Sequence, residues 1–192
     1  MYPLLVKNLS RHISLNEDEI IKVTKAFKAV YLKKKAFLLH QGEVSRYENF
    51  VNKGCLRAYS VNEKGEEHIA QFAVEDWWVG DMYSFLTDTP STLYIEALED
   101  CELLQIDRQG LEDLYLKVPT LERFFRIIIQ NAFIASQNRV LSSMSKTADE
   151  RYQEFIRKYP NIEQRVPQYQ IAAYLGITPE FLSRIRKKFA GQ

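Results

Sequence analysis

Short runs of β-branched and aromatic residues, divided by turn residues, fill the chain between residues 35 and 107. Runs of this kind, bounded by glycine and polar residues, predict β-strands. The predicted strands are residues 37–40, 50–51, 55–61, 67–74, 77–79, 93–98 and 102–106. Because these strands are short and regularly spaced, they indicate a barrel, roll or sandwich and not a parallel βαβ sheet.

Helical patterns flank the strand-rich region on both sides. Residues 14–30 predict a helix that Ser14 and Glu17 cap, with an apolar stripe formed by Ile20, Ile21, Ala26, Phe27 and Val30. Residues 111–117 predict a second helix. Pro119 then stands at the expected first position of the next helix, where proline is favoured. The chain is therefore predicted to belong to the α+β class.

A long helix is predicted over residues 121–141. One set of its apolar residues recurs at alternating spacings of four and three, namely Leu121, Phe125, Ile128, Ala132 and Ala135. This is the period by which two helices pack along a shared seam, so we expect the helix to join two copies of the chain. The alternative is burial against the β-domain of its own chain. The Ser-Ser-Met-Ser-Lys stretch at 142–146 predicts a hinge.

The last segment of the chain predicts two short helices joined by a tight turn. Pro167 opens the first helix, and Gly176 ends it where the backbone needs a positive φ. Thr178 then offers a capping hydroxyl, and Pro179 occupies the first position of the second helix. The pattern is that of a helix-turn-helix, in which Ala172 supplies a small residue where the helices cross.

The outer side of the second helix carries groups suited to DNA. They are Thr178, Glu180, Ser183, Arg184, Lys187 and Lys188. Arg184 can donate two hydrogen bonds to a guanine edge, and Glu180 can accept one from a cytosine amino group. The hydroxyls of Thr178 and Ser183 suit phosphates or bases, and the two lysines neutralise backbone charge. An ordinary helical hairpin with a polar outer face is the alternative.

Composition agrees with a folded protein that works in a reducing compartment. Hydrophobic residues make up 46% of the chain, and the net charge is +1. Residues 147–192 hold eight Lys/Arg against five Asp/Glu, so the basic excess lies at the C-terminal end. Cys55 and Cys101 form no Cys-x-x-Cys motif, which excludes a structural zinc site or a cysteine-only iron–sulfur cluster within one chain. With no signal peptide and no membrane-length apolar run, we expect a cytoplasmic protein.

Catalytic motifs are absent from the sequence, and we expect no enzyme activity and no metal site. His12, His40 and His68 lie far apart in the chain. A metal-dependent or ligand-binding β-roll without DNA binding remains the alternative, with His40 and His68 on neighbouring strands beside Glu67. Haem ligation stays open.

The segment Gly176-Ile-Thr-Pro-Glu-Phe-Leu-Ser-Arg-Ile-Arg resembles the recognition helix of the Crp/Fnr (catabolite activator-like) regulators. The order of strands, proline-started long helix and helix-turn-helix resembles that family across nearly the whole chain. The resemblance implies a cyclic-nucleotide-binding-like β-roll, or double-stranded jelly roll, as sensor at 1–118. It implies a dimerisation helix and hinge at 119–145 and a DNA-binding domain at 146–192.

The same resemblance implies partners and roles. Glu180, Ser183 and Arg184 would read bases, and a homodimer would place its two recognition helices one duplex turn apart on double-stranded DNA. Contact with RNA polymerase follows from the family alone. A signal at the roll would shift the long helices and rotate the C-terminal domains, although a regulator that works without an effector is also open.

Two departures from the family pattern change what we expect. The family's phosphate-binding cassette is a Gly-Glu pair, a loop and an Arg-Ser/Thr pair, whereas this chain has Gly80-Asp81 and then Ser91-Thr92. Because Ser91 replaces the arginine, a cyclic nucleotide would lose a charge-assisted partner of roughly 1.5–3 kcal/mol. Asp81 is also one carbon shorter than the ribose-binding glutamate. The family's β-hairpin wing is not expected either, since the sequence stops three residues after Phe189.

We therefore expect no cyclic AMP binding and no cofactor, and the effector pocket would take another small ligand or none. That pocket is predicted to hold Gly80, Asp81, Met82, Ser91, Thr92 and, on the long helix, Ser136. Trp77 and Trp78 just before it should point to opposite faces of their strand. One is expected to fill the roll, and the other to cover the pocket or touch the long helix.

Overall fold

Two four-stranded antiparallel sheets face each other and form a β-roll. The computed structural model describes residues 2–190 of the chain. Its strands are β1 (Lys28–Leu32), β2 (Phe37–Leu39), β3 (Tyr47–Lys53), β4 (Leu56–Val61), β5 (Glu67–Ala73), β6 (Trp78–Val79), β7 (Tyr94–Ala97) and β8 (Cys101–Asp107). The first sheet has the order β1-β8-β3-β6, and the second has the order β2-β7-β4-β5.

Helices cover the outer faces of both sheets. They are α1 (Pro3–Ser10), α2 (Glu17–Ala26), α3 (Met82–Thr87), α4 (Arg108–Lys117), α5 (Thr120–Ser145), α6 (Ala148–Lys158), α7 (Ile162–Arg165), α8 (Gln168–Leu175) and α9 (Pro179–Ala190). No helix within residues 2–190 is long and apolar enough to cross a membrane. The predicted fold class, a β-roll followed by a long helix and a helix-turn-helix, is confirmed.

Three apolar clusters hold these layers together, because each sheet must bury its outer face as well as its inner one. Val51, Leu56 and Leu103 belong to the cluster between the two sheets. The outer face of the first sheet, around Phe50, packs against α1, α2, α4 and the start of α5. The outer face of the second sheet, around Phe72, packs against the C-terminal helices.

The N-terminal helix prediction was wrong at both of its ends. Asn16, not Ser14, caps α2, since its side chain accepts from the Glu19 amide at 2.9 Å while Glu19 accepts from the Asn16 amide at 2.9 Å. The helix stops at Ala26, and Val30 lies in β1 opposite Leu103. Helix α1, strand β1 and helix α3 were not predicted.

The predicted seam of the long helix was wrong in its first half. Leu121 and Phe125 are buried against the β-roll of their own chain, and Ile128 packs against the same cluster. Helix α5 also continues to Ser145, so the predicted hinge at 142–146 shrinks to Lys146, whose backbone is extended. Pro119 precedes the first helical residue instead of occupying that position. The bounds of the three predicted domains, which divide after residues 118 and 145, stay a prediction.

Candidate nucleic-acid interface

Helices α8 and α9 meet through the turn that the sequence predicted. Gly176 has φ +66°, and a side chain placed there would meet open space, so the backbone conformation alone explains the glycine. The Ile177 amide donates to the Ala172 carbonyl at 3.1 Å and closes the turn. Ala172 itself is fully buried, which lets the two helices approach closely. This part of the prediction is confirmed in detail.

The start of α9 is capped as its sequence predicts. The amide of Phe181 donates to the Thr178 hydroxyl at 3.2 Å. Hydrogen bonds from its own backbone amide and from Thr178 hold the pKa of the Glu180 carboxyl below its usual value. Glu180 is therefore a carboxylate at neutral pH, and it can only accept hydrogen bonds there.

One side of α9 is anchored in the protein and the other faces solvent. Leu182 and Ile185 are buried, while Phe189 is half-buried and stacks on Tyr152 with ring centroids 6.0 Å apart. On the opposite side Thr178, Glu180, Arg184, Lys187 and Lys188 are exposed, and Ser183 is half-buried. The structure thus brings all six predicted DNA-binding residues to one open surface, which we call the α9 face.

The basic residues of α9 differ in their partners. Lys188 forms an ion pair with Asp149, and Arg186 pairs with Glu163 at 2.8 Å. Neither Arg184 nor Lys187 has a carboxylate partner among residues 2–190. The two positive charges most available to a phosphate or a base therefore belong to Arg184 and Lys187.

Sequence reasoning missed three residues beside this surface. Gln168 opens α8 and lines a hollow of about 470 Å³ together with Ser183 and Lys187. Its neighbour Tyr169 is 55% exposed, and Phe181 in the first turn of α9 is 37% exposed. A helix-turn-helix pattern alone could have indicated Gln168 and Tyr169, since polar residues at the start of the first helix lie close to the second.

An aromatic contact docks the C-terminal helices on the β-roll. The rings of Trp77 and Tyr159 stack with centroids 5.1 Å apart and planes inclined by 27°. The backbone amide of Phe72 donates to the Tyr159 hydroxyl at 3.4 Å. Trp78 points the other way and packs on Phe125 of α5 at 5.2 Å. The two tryptophans do face opposite sides, but one reaches the C-terminal helices, a contact that the sequence did not predict.

Two arginines reinforce this docking. Arg165 donates from both terminal nitrogens to Glu75, at 2.8 and 3.0 Å, and from Nε to Glu99 at 2.8 Å. Burial raises the pKa of Glu75, but the hydrogen bonds from Arg165 and Gly54 outweigh burial and hold it below its usual value.

The second arginine, Arg139 of α5, donates to backbone carbonyls on both sides of the docking surface. On the roll it donates to Ile69 at 2.6 Å and also to Ala70, and on α8 it donates to Tyr174 at 3.1 Å. Its guanidinium also lies 4.1 Å from the centre of the Tyr174 ring. The roll, the long helix and α8 thus meet at one side chain.

The second half of α5 leaves an apolar strip uncovered. Phe133, Val140 and Met144 are 62%, 56% and 81% exposed, and Gln137 lies between them on the same side of the helix. Their spacing of four, three and four matches the seam of a coiled coil. We call this strip the α5 face. Ala132 and Ala135, from the second half of the predicted seam, are exposed as well, and pairing of two copies along α5 stays a prediction.

The predicted effector residues form a closed polar group on the roll. Asp81 and Ser91 are both buried, and the Ser91 hydroxyl donates to Asp81 Oδ2 at 2.7 Å. The other oxygen of Asp81 accepts from the Ser84 amide at 3.1 Å and caps α3. Gly80 and Met82 flank Asp81 and are half-buried, and Thr92 is exposed. Ser136 is exposed on α5, and no hydrogen bond within residues 2–190 joins it to the others.

A cyclic nucleotide does not fit this group of residues. The segment from residue 80 to residue 92 contains no lysine or arginine. The segment instead buries an acidic side chain, Asp81, which would not favour the negative charge of a phosphate. Ser91, at the arginine position, is already committed to that carboxylate.

The metal-site alternative finds no support in the structure. His40 lies just beyond β2 and His68 lies in β5, and β7 and β4 separate these strands, so the prediction that the two are neighbours was wrong. Glu67 is taken by an ion pair with Arg57. Among residues 2–190, no three His, Cys, Asp or Glu side chains are grouped so that they could hold a metal ion.

Known proteins resemble this chain in both sequence and fold. Residues 29–117 match the family model of the cyclic nucleotide-binding domain. The chain is 30% identical over 172 residues to transcriptional activator protein FnrA of Stutzerimonas stutzeri, which covers 82% of this chain and 68% of that protein. It is 28% identical over 183 residues to transcriptional activator protein Anr of Pseudomonas protegens, covering 90% of this chain and 72% of Anr.

Among solved structures, FixK2 of Bradyrhizobium japonicum superposes with a TM-score of 0.76 at 20% identity. The match covers 86% of this chain and 85% of FixK2. At that identity the likeness establishes the shared fold.

Proposed function

We propose that this chain, which belongs to the Crp/Fnr family of transcription regulators, reads a specific base sequence in the major groove of DNA with helix α9. As a member of that family it is a DNA-binding transcription regulator. The relatives named above are transcriptional activator proteins. The observation that carries the residue-level proposal is the α9 face, which stays open although α9 is firmly anchored on its other side.

The residues of the α9 face divide by chemistry. Arg184 suits a guanine edge and Glu180 suits a cytosine amino group, because a guanidinium only donates and a carboxylate only accepts. Ser183 lies beside Arg184, about one helical turn from both Glu180 and Lys187. Its hydroxyl can hydrogen-bond either to a base or to a phosphate. Thr178 and Lys187 fit the phosphate backbone, where they fix register without reading sequence. Lys188 would first have to leave Asp149.

Two copies of the chain are proposed to pair through the α5 face. An exposed phenylalanine, valine and methionine at coiled-coil spacing leave apolar surface in water that a second copy would remove from it. Pairing along this face leaves α9 of each copy free. Two such helices would then meet half-sites about 34–36 Å apart on one side of the duplex.

We propose that cyclic AMP is not the effector, because Asp81 and Ser91 satisfy each other inside the cassette. The roll does retain a separate cavity of about 440 Å³ between its sheets, lined in part by Asn49, Arg46 and Gln105. A small polar ligand suits that cavity better than the cassette. Contact with RNA polymerase is proposed from the relatives, which are named as transcriptional activators.

The path from the roll to DNA is proposed to run through the neighbouring tryptophans. Trp78 contacts the base of α5, and Trp77 contacts Tyr159 of the DNA-binding helices. Any shift of β6 would therefore move both the dimerisation helix and the docked domain. Rotation about Lys146 would then change the spacing of the two α9 helices.

Selection of binding sites from a random pool of duplex DNA tests the proposal, followed by gel shifts on the selected site. We expect the wild-type protein to select a two-fold symmetric sequence. Arg184→Ala should lose about 1–3 kcal/mol of discrimination at one guanine in each half-site. Arg123→Ala is the matched control, because Arg123 is equally charged and exposed but lies near the start of α5. A wild-type protein that selects no sequence would overturn the proposal.

A further inference from the structure

A large apolar side chain on helix α9 is partly exposed to solvent. Phe181 is the third residue of α9, and 37% of its surface is exposed, whereas Leu182 beside it is fully buried. The exposed part of the ring gains nothing from the packing of the domain. It is therefore open to contact by a molecule that binds α9.

One contact of the Phe181 ring is to a predicted base-reading residue. The guanidinium carbon of Arg184 lies 5.0 Å from the centre of the Phe181 ring. The two residues are three apart, so they sit on adjacent turns of one side of α9. A cation above an aromatic ring is attracted by it, which limits the orientations that Arg184 samples.

The place of Phe181 in α9 decides which surface of DNA it would meet. In a helix-turn-helix the first residues of the recognition helix approach the base edges most closely. Phe181 is in that first turn, directly after Glu180. It would enter the groove together with Arg184 and not lie along the phosphates.

Only one group on the floor of the major groove is apolar, and it is the C5 methyl of thymine. A phenylalanine ring offers no hydrogen bond, so it gains from this methyl and from no other base feature there. We infer that Phe181 is a further specificity-determining residue, which recognises a thymine methyl next to the base pair contacted by Arg184. The inference rests on the proposed function, since it requires α9 to enter the major groove.

Replacing thymine by uracil tests the inference directly, because deoxyuridine lacks only the methyl and keeps every hydrogen-bonding group. On the site selected by the wild-type protein, each thymine is exchanged for uracil in both half-sites at once, and affinity is measured by gel shift. We expect one symmetric pair of exchanges to weaken binding about 15-fold. Each lost methyl contact should weaken binding roughly fourfold, and the two losses, one in each half-site, multiply. The remaining pairs should have little effect.

Phe181→Ala should bring this thymine-to-uracil ratio close to one while the preference for guanine at the Arg184 position persists. Phe181→Leu, which keeps an apolar side chain, should retain part of the ratio. Because most of the Phe181 surface is covered, Phe181→Ala should lower the thermal unfolding midpoint and Phe181→Leu should lower it less. Both variants should stay folded at the temperature of the binding assay, and the midpoint serves as the folding control.

Several results would overturn the inference while leaving DNA reading intact. They are a selected site without thymine in each half, no loss with any uracil, or an unchanged ratio in Phe181→Ala. A variant that loses only guanine preference would make Phe181 a positioning residue for Arg184 and reject methyl recognition. If the wild-type protein selects no sequence at all, the proposed function has failed, and the methyl inference is rejected with it.

Discussion

Trp77 of the β-roll stacks on Tyr159 at the end of α6, with ring centroids 5.1 Å apart. The two residues are distant in the chain, and their contact joins the β-roll to the part of the molecule that carries α9. Trp78, the next residue, packs on Phe125 of the long helix. Trp77 and Trp78 therefore contact both the C-terminal helices and the long helix α5. The arrangement of these two parts would set the position of α9.

Loss of the Trp77 ring should loosen the docked C-terminal helices. In Trp77→Ala the stack on Tyr159 disappears, and aromatic pairs contribute about 0.5–1.5 kcal/mol beyond the area they bury. We expect trypsin to cleave after Lys146 at least about twofold faster than in the wild type, because the connection opens more often. Trp77→Phe is the control and should cleave at nearly the wild-type rate. Equal rates in wild type and Trp77→Ala would show that the stack does not hold the domain.

Replacing Phe133 should disrupt the dimer. A charged side chain in Phe133→Glu would be buried without a partner if two α5 faces met, which is strongly unfavourable. We expect the dissociation constant, measured by analytical ultracentrifugation, to rise at least about tenfold. Asn131→Glu adds the same charge on the other side of α5 and should leave the association unchanged. If the Phe133→Glu protein still dimerises, the dimer interface lies elsewhere on the molecule.

Stability should fall as the pH rises because of Glu48. This side chain is 5% exposed, and its Oε1 has no hydrogen-bond partner within residues 2–190. Burial raises the pKa of Glu48 from 4.5 to about 8, so the folded protein holds a proton that the unfolded chain releases. Stability from this group is fully present below pH 4.5 and is lost as the pH rises through 8, by up to about 1.4 kcal/mol per unit.

Thermal unfolding of Glu48→Gln, measured between pH 5 and pH 8, checks the prediction that Glu48 makes stability fall as the pH rises. The variant should lose less stability over that range than the wild type does, since glutamine stays neutral. Glu122→Gln, at an exposed position of α5, should follow the wild-type profile. Parallel curves for wild type and Glu48→Gln would contradict the prediction.

The two lysines of α9 should contribute unequally to DNA binding. Lys187 has no carboxylate partner among the described residues, whereas Lys188 is paired with Asp149. We expect Lys187→Ala to reduce the slope of log affinity against log salt concentration by about the amount that one phosphate contact contributes. Lys188→Ala should reduce this slope by less. Fluorescence anisotropy over a series of salt concentrations measures both slopes. The reverse order would indicate that Lys188 leaves Asp149 on binding DNA.

Cyclic AMP should leave the unfolding temperature unchanged. A ligand that binds only the folded protein raises stability with its concentration, by about 2.7 kcal/mol at one hundred times its dissociation constant. The buried Asp81 carboxylate and the absence of a cation between residues 80 and 92 argue against such binding. A thermal shift that grows with cyclic AMP concentration would refute this expectation.

Local signals in the sequence were sufficient for most strands and for the helix-turn-helix. Gly176 and Thr178 act on backbone atoms within a few residues of themselves, so their roles are visible without knowledge of the fold. The same holds for the outward position of Arg184, because helical periodicity opposes it to Leu182 and Ile185. The misplaced start of α2 shows the limit, since Ser14 and Asn16 are both good capping residues and lie two positions apart.

By itself, the sequence determined the class of most elements after β1 and the face that α9 turns outward, because hydrophobic periodicity and capping act over a few residues. Only the tertiary structure decided which side of α5 packs on the roll, since Leu121 and Phe133 are equally apolar in sequence. It also decided that Ser91 closes on Asp81 and that Lys188 is paired with Asp149. These choices join residues far apart in the chain, and they depend on how whole elements pack.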